Sequence, residues 1–283
     1  MDPVTLALVF AVGACVGSFL NVCISRWPLE LSVVTPRSRC PRCERPIAGY
    51  DNIPIVSWLI LRGKCRGCAL PISPQYPFVE ALVGLGWLAT IVHFGPTFTA
   101  LRVAVLGTVL LGIAITDAKH YLIPDGFTVF GIIWVMVTSI VALVLGETGP
   151  FALPYDALIG ACAGAGAIAI VGWLGEVALK REAMGFGDVT LMAVIGGALG
   201  PARALLVIFI GAAIGAIAFI VVVYPLGRVR GARATHQTEL ELGATSNPLP
   251  NVPFGVFLAP AGIVALLWGE SLISWYMRRM MIS

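Results

Sequence analysis

The stretch "EAMGFGDVTLMAVIGGALG", residues 182–200, decides how the chain is read. It sets an aspartate, Asp188, directly before a run with no charge and only one polar side chain. An ionisable group at the mouth of a lipid-bound segment is costly, and where it occurs it usually serves a function. From Asp188 to Gly200 is 13 residues, roughly 20 Å of helix against a hydrocarbon core of about 30 Å. The stretch therefore predicts a half-span, or a helix that starts inside the membrane. Its acid falls near the helix N-terminus, where the dipole favours a carboxylate. Gly185 and Gly187 predict irregular backbone and a close approach by substrate.

The rest of the chain agrees with a membrane setting. Of 283 residues, 58% are hydrophobic and 12% charged, whereas soluble domains carry about 25% charged residues. Mean hydropathy is +0.93. Eight spans are predicted, at about 4–24, 78–94, 99–117, 126–145, 155–177, 186–200, 203–224 and 254–276, giving an all-α polytopic membrane protein with no nucleic-acid partner. The first lacks a basic start and a small-residue cleavage site, so it reads as a span rather than a signal peptide. Segments 25–77, 118–125, 178–187 and 225–253 hold 14 of the 18 Lys and Arg residues, which predicts that they are cytoplasmic. Residues 1–24 are then the first span, 25–77 a cytoplasmic insert, and 78–283 a membrane core with a flexible loop at 225–253. No repeat is evident in the soluble segments, while Gly160 and Gly164 predict close helix packing.

The insert carries "SRCPRCERPI" and "RGKCRGCALPI". Cys40, Cys43, Cys65 and Cys68 give the pattern C-x2-C-x21-C-x2-C. Two such knuckles close a tetrahedral thiolate site, and zinc suits four sulfurs without redox demands. A reducing cytosol favours a metal over disulfides. The arginines around the knuckles are expected to help keep the thiolates ionised. Four protein ligands leave no open position, so the expected zinc is structural.

Asp117, in "GIAITDAKHYLIPD", closes the third span. Under the charge-derived topology it faces the same side as Asp188, so the two can meet. Close carboxylates share one proton; one then acts as base toward a water while the other donates to a substrate carbonyl. Asp125 is expected to cap the fourth span instead. Asn21, a polar residue within the first span, is expected to bond across helices. A transporter or channel carrying a zinc-binding module is the alternative function, with the acids as ion relays. A non-catalytic assembly protein is the third.

Long blocks of the chain resemble the bacterial type IV prepilin peptidases, also called prepilin leader peptidase/N-methyltransferases. The resemblance runs through "GSFLNVCISRWP" (17–28), "DNIPIVSWLILRGKCRGCALPISPQYPFVEAL" (51–82), "DAKHYLIPD" (117–125), "GFGDVTLMAVIGGALG" (185–200) and "VPFGVFLAPAG" (252–262). It implies an aspartyl protease of the GxGD type in the bacterial inner membrane, with Asp117 and Asp188 catalytic. It implies prepilin and pseudopilin substrates, cut on the cytoplasmic side after the glycine before the mature terminus. It also implies methylation of the new terminus from S-adenosylmethionine, with the cysteine insert tied to that activity. Gly63 and Lys64 of "RGKC" and Glu80 of "PFVE" are the matching candidates for the methylation site. Thr190 departs from the lysine that many members carry after the aspartate, and Val256 from a frequent proline.

Overall fold

The structure, a computed structural model, describes residues 1–147, 149–180, 184–223 and 253–281. All but the last residue of the 225–253 loop lies outside the described residues. The helices are α1 (Pro3–Arg26), a short α2 (Val56–Ile60), α3 (Gln75–Phe94), α4 (Phe98–His120), α5 (Asp125–Leu145), α6 (Pro154–Leu179), α7 (Phe186–Leu199), α8 (Pro201–Ala218, ending in a π-turn) and α9 (Gly255–Met281). Seven of them are long and apolar enough to cross a membrane; α7 is apolar but shorter. The eight predicted spans thus resolve into seven full ones and the half-length helix that the 182–200 stretch announced.

Local chemistry sets the helix ends. Asp2 accepts the Thr5 N–H at 2.6 Å ahead of Pro3, and Thr97 accepts the Ala100 N–H ahead of α4. Tyr121 and Lys180 close α4 and α6 in the left-handed conformation. Asp125 does not cap α5 as expected. Pro124 holds that position, and Asp125 is the exposed first helical residue, placed where the helix dipole favours an acid.

Helix α7 is the axis of the bundle. Leu191, Met192, Val194 and Ile195 are each no more than 1% exposed, as befits a helix that is apolar all round. It is short because the opposite loop folds inward to meet it: Phe151 and Ala152 are buried, and the Ala152 N–H bonds the Ala198 carbonyl at 2.9 Å. Buried Arg203 reinforces that end by donating to the Pro150 and Leu199 carbonyls.

Lipid offers no hydrophobic drive between helices, so close backbone approach by small residues must supply the packing. Helix α6 packs on α7 in this way. A Cβ on Gly160 would lie 2.1 Å from the Gly196 carbonyl oxygen, one on Gly196 would lie 2.1 Å from the Gly160 oxygen, and one on Gly164 would lie 2.5 Å from the Met192 oxygen. Gly196→Ala is therefore expected to force the helices apart and destabilise the protein by about 1–3 kcal/mol. Gly166→Ala on the same helix α6, where a Cβ meets nothing within 4 Å, is expected to be neutral or stabilising. Midpoints of SDS titration in detergent separate the two; equal midpoints would contradict the contact.

Candidate functional site

One end of the bundle gathers the residues singled out by the sequence. Asp117 sits at the buried C-terminal end of α4, 5% exposed. Asp188 is half-buried in the first turn of α7, its N–H bonded to the Gly185 carbonyl. The charge of Asp117 acts directly on Asp188, so the two carboxyl groups face each other electrostatically. Ile123, between α4 and α5, is wedged where their supports meet. A Cβ on Gly187 would lie 2.8 Å from its Cβ, and a Cβ on Gly255 would lie 3.0 Å from its Cδ1.

The glycines work differently from the expectation. Gly187 lies inside the helix and lets α7 approach Ile123, while Gly185 is extended, as any residue can be, with open space around it. Neither adopts the left-handed backbone.

The start of α9 supplies a partner that residue-by-residue reading did not find. Val256 donates its N–H to Asp117 Oδ2 at 3.2 Å. A Cβ on Gly255 would lie 2.8 Å from that same oxygen. The carboxylate is thus cradled at a helix N-terminus, and only glycine at 255 leaves room for it. A glycine directly ahead of an apolar helical run was the available signal.

The cysteine insert is joined to this end of the bundle. Lys119, two residues after Asp117, donates to Gln75 at the start of α3. All four sulfurs of Cys40, Cys43, Cys65 and Cys68 lie within 4.8 Å of one another, and Cys40 and Cys68 are 3.9 Å apart. A tetrahedral site with metal–sulfur bonds of about 2.3 Å needs sulfurs about 3.8 Å apart, so the four residues fit a metal ion. Backbone geometry prepares the site. The Cys40 thiol is pushed down to about 6, chiefly by the N–H groups of Cys43 and then Arg42. Backbone amides, not the arginine side chains expected from sequence, provide this. Arg66 is instead turned onto Asp51, with two bonds of 2.7 Å that hold the Asp51 carboxyl below its usual range.

The two knuckles are copies of each other, a repeat the sequence reading missed. "RCPRCERPI" (39–47) and "KCRGCALPI" (64–72) align position by position. In both, the first cysteine N–H bonds the carbonyl five residues on, and the residue after the second cysteine is left-handed (Glu44, Ala69) and bonds back to the first cysteine. Each also closes with a β-bridge, Arg39 to Pro46 and Lys64 to Pro71.

Between the insert and helices α1 and α3 lies a cavity of about 800 Å³. Glu80 lines it; Gly63 and Lys64 do not. Gly63 adopts φ +67° in the turn before the second knuckle, and a Cβ there would lie 2.9 Å from the Trp58 ring, which itself lines the cavity. Lys64 belongs to the knuckle's bridge and is exposed. Glu80 is buried against α1, where Gly17 is packed so tightly that a Cβ would lie 2.8 Å from the Glu80 Cα. Its Oε2 accepts the Ile55 N–H at 2.7 Å. Asn21 crosses from α1 to α3 as expected, donating to the Tyr76 carbonyl at 3.2 Å.

A multi-pass helical bundle with paired acids at one end and a four-cysteine insert beside them describes a class of membrane protein, and two family models match it. The Bacterial Peptidase A24 N-terminal domain matches residues 11–94, covering most of α1, the insert and α3. The Type IV leader peptidase family matches residues 104–220, from α4 to the end of α8. Proteins named prepilin leader peptidase/N-methyltransferase are similar along most of their length. The one from Myxococcus xanthus is 41% identical over 87% of this chain and 71% of its own. That from Aeromonas hydrophila is 34% identical over 96% and 93%, and that from Bacillus subtilis 31% over 96% and 98%. The chain belongs to the prepilin leader peptidase/N-methyltransferase family. No solved structure matches it.

Proposed function

We propose that this protein cuts the leader from type IV prepilins and related pseudopilins, using Asp117 and Asp188, and methylates the amine that the cut releases. The observation that carries the reading is the meeting of two carboxyl groups from distant helices, one of them held by a helix N-terminus. One carboxylate takes a proton from a water as its oxygen attacks the scissile carbonyl carbon. The other, protonated, donates to the carbonyl oxygen and then helps the amine leave. Val256 keeps Asp117 in place through the cycle.

Zinc is the metal that best suits the four cysteines, and its part is to fold the insert. S-adenosylmethionine supplies the methyl group when bound. The concentration of Lys and Arg in the insert and neighbouring loops supports a cytoplasmic setting for the aspartates, at the bacterial inner membrane.

The test is to incubate purified protein with a prepilin peptide and follow it by mass spectrometry. The expected result is loss of the leader mass, with a further gain of about 14 Da on the product when S-adenosylmethionine is present. An uncut peptide would refute the protease reading.

A further inference from the structure

We propose that the cavity beneath the cysteine insert is the binding site for the sulfonium methyl donor, with Glu80 as the residue that positions its wall. The inference rests on the methyltransferase reading above. At about 800 Å³, the cavity falls in the range of roughly 300–1,000 Å³ typical of small-molecule sites. It has two walls of different origin: Ser18, Asn21 and Tyr76 come from the membrane helices, and Trp58, Cys40 and Cys65 from the insert. The donor presents a fused aromatic base, a carboxylate and a sulfonium. The lining offers a counterpart to each: aromatic faces in Trp58 and Tyr76, guanidinium groups in Arg39 and Arg42, and the carboxylate of Glu80.

The backbone at the rim points the same way. Ile55 has φ 64° and ψ −53°, and the Val56 N–H bonds the Pro54 carbonyl at 2.6 Å, a γ-turn of the rare positive-φ kind. A β-branched residue there costs on the order of 1–3 kcal/mol, and such strain gathers at working sites. Buried Glu80 holds the turn by accepting the Ile55 N–H. It thereby ties the insert to α3 across the cavity.

Position completes the case. Tyr76 in the lining adjoins Gln75, which Lys119 contacts two residues beyond Asp117. A terminus freed at the aspartates has a short way to travel. There the amine lone pair forms the new N–C bond as the C–S bond breaks. Its electron pair goes to sulfur, which leaves as a neutral thioether, and the methylated ammonium sheds a proton to solvent. A smaller cavity of about 380 Å³ shares Ser18, Val22, Arg26 and Asn52 with the larger one and continues along α1 to Cys15 and Phe19.

The test uses the full chain in detergent and S-adenosylmethionine with a tritiated methyl group. Ultraviolet cross-linking of the unmodified protein is expected to label peptides containing Trp58 or Tyr76; label confined to peptides outside the lining would overturn the assignment. Asn52→Trp places a bulky ring where the two cavities join. Equilibrium dialysis is expected to show Kd raised at least about tenfold, with the metal content unchanged as a check that the insert is folded. An unchanged Kd would also overturn it. If the unmodified protein methylates its product but the label lies elsewhere, only the location fails. If it neither binds the donor nor methylates, the methyltransferase reading falls with it.

Discussion

Asp117→Asn and Asp188→Asn are each expected to lower leader cleavage by at least about 10³-fold, the scale on which a positioned acid or base acts. The double variant is expected to be no worse than either single one, because groups that work as a unit are not additive. Asparagine keeps the shape of aspartate, and its side-chain oxygen still accepts the Val256 N–H. The variants should therefore insert and melt like the parent protein, so that lost activity reports lost chemistry. Initial rates on a prepilin peptide, beside thermal melts in detergent, make the comparison. Cleavage surviving in both single variants would remove the proposed pair.

Cys40→Ser combined with Cys43→Ser is expected to take bound metal from about one ion per chain to near zero. Apparent binding free energies of structural four-ligand zinc sites run to about 10–16 kcal/mol. That energy is what folds an insert whose described secondary structure is only short helical turns and two isolated bridges. With one knuckle gone, the insert wall of the cavity loses its shape, and methylation is expected to fall far more than cleavage. The aspartates stand on α4 and α7, outside the insert. Elemental analysis and the two activities measured on one sample decide this. A full complement of metal in the variant would exclude the four-thiolate centre.

The parts legible in the sequence were those with a local code. Hydropathy gave seven full spans because each must satisfy its own backbone in lipid. The 13-residue run after Asp188 gave the short helix. Cysteine spacing gave the cluster, because a knuckle is closed by bonds within nine residues. What escaped is contact between distant segments. Nothing near Asp117 announces that residue 256 will donate to it across 139 positions. Gly63 and Lys64 drew notice by resemblance, yet the fold uses Gly63 to seat Trp58 and puts Lys64 on an exposed bridge. The strain at Ile55 likewise has no signature in "NIPIV", since it exists only because Glu80 reaches it from α3.

The amide that steadies Asp117 belongs to the last helix, so it is also the last of these parts to be made. Both aspartates leave the ribosome before Gly255 and Val256 have been translated. A nascent or prematurely terminated chain therefore carries both acids with one of them unanchored, and proteolytic competence is tied to completing synthesis of the C-terminal helix.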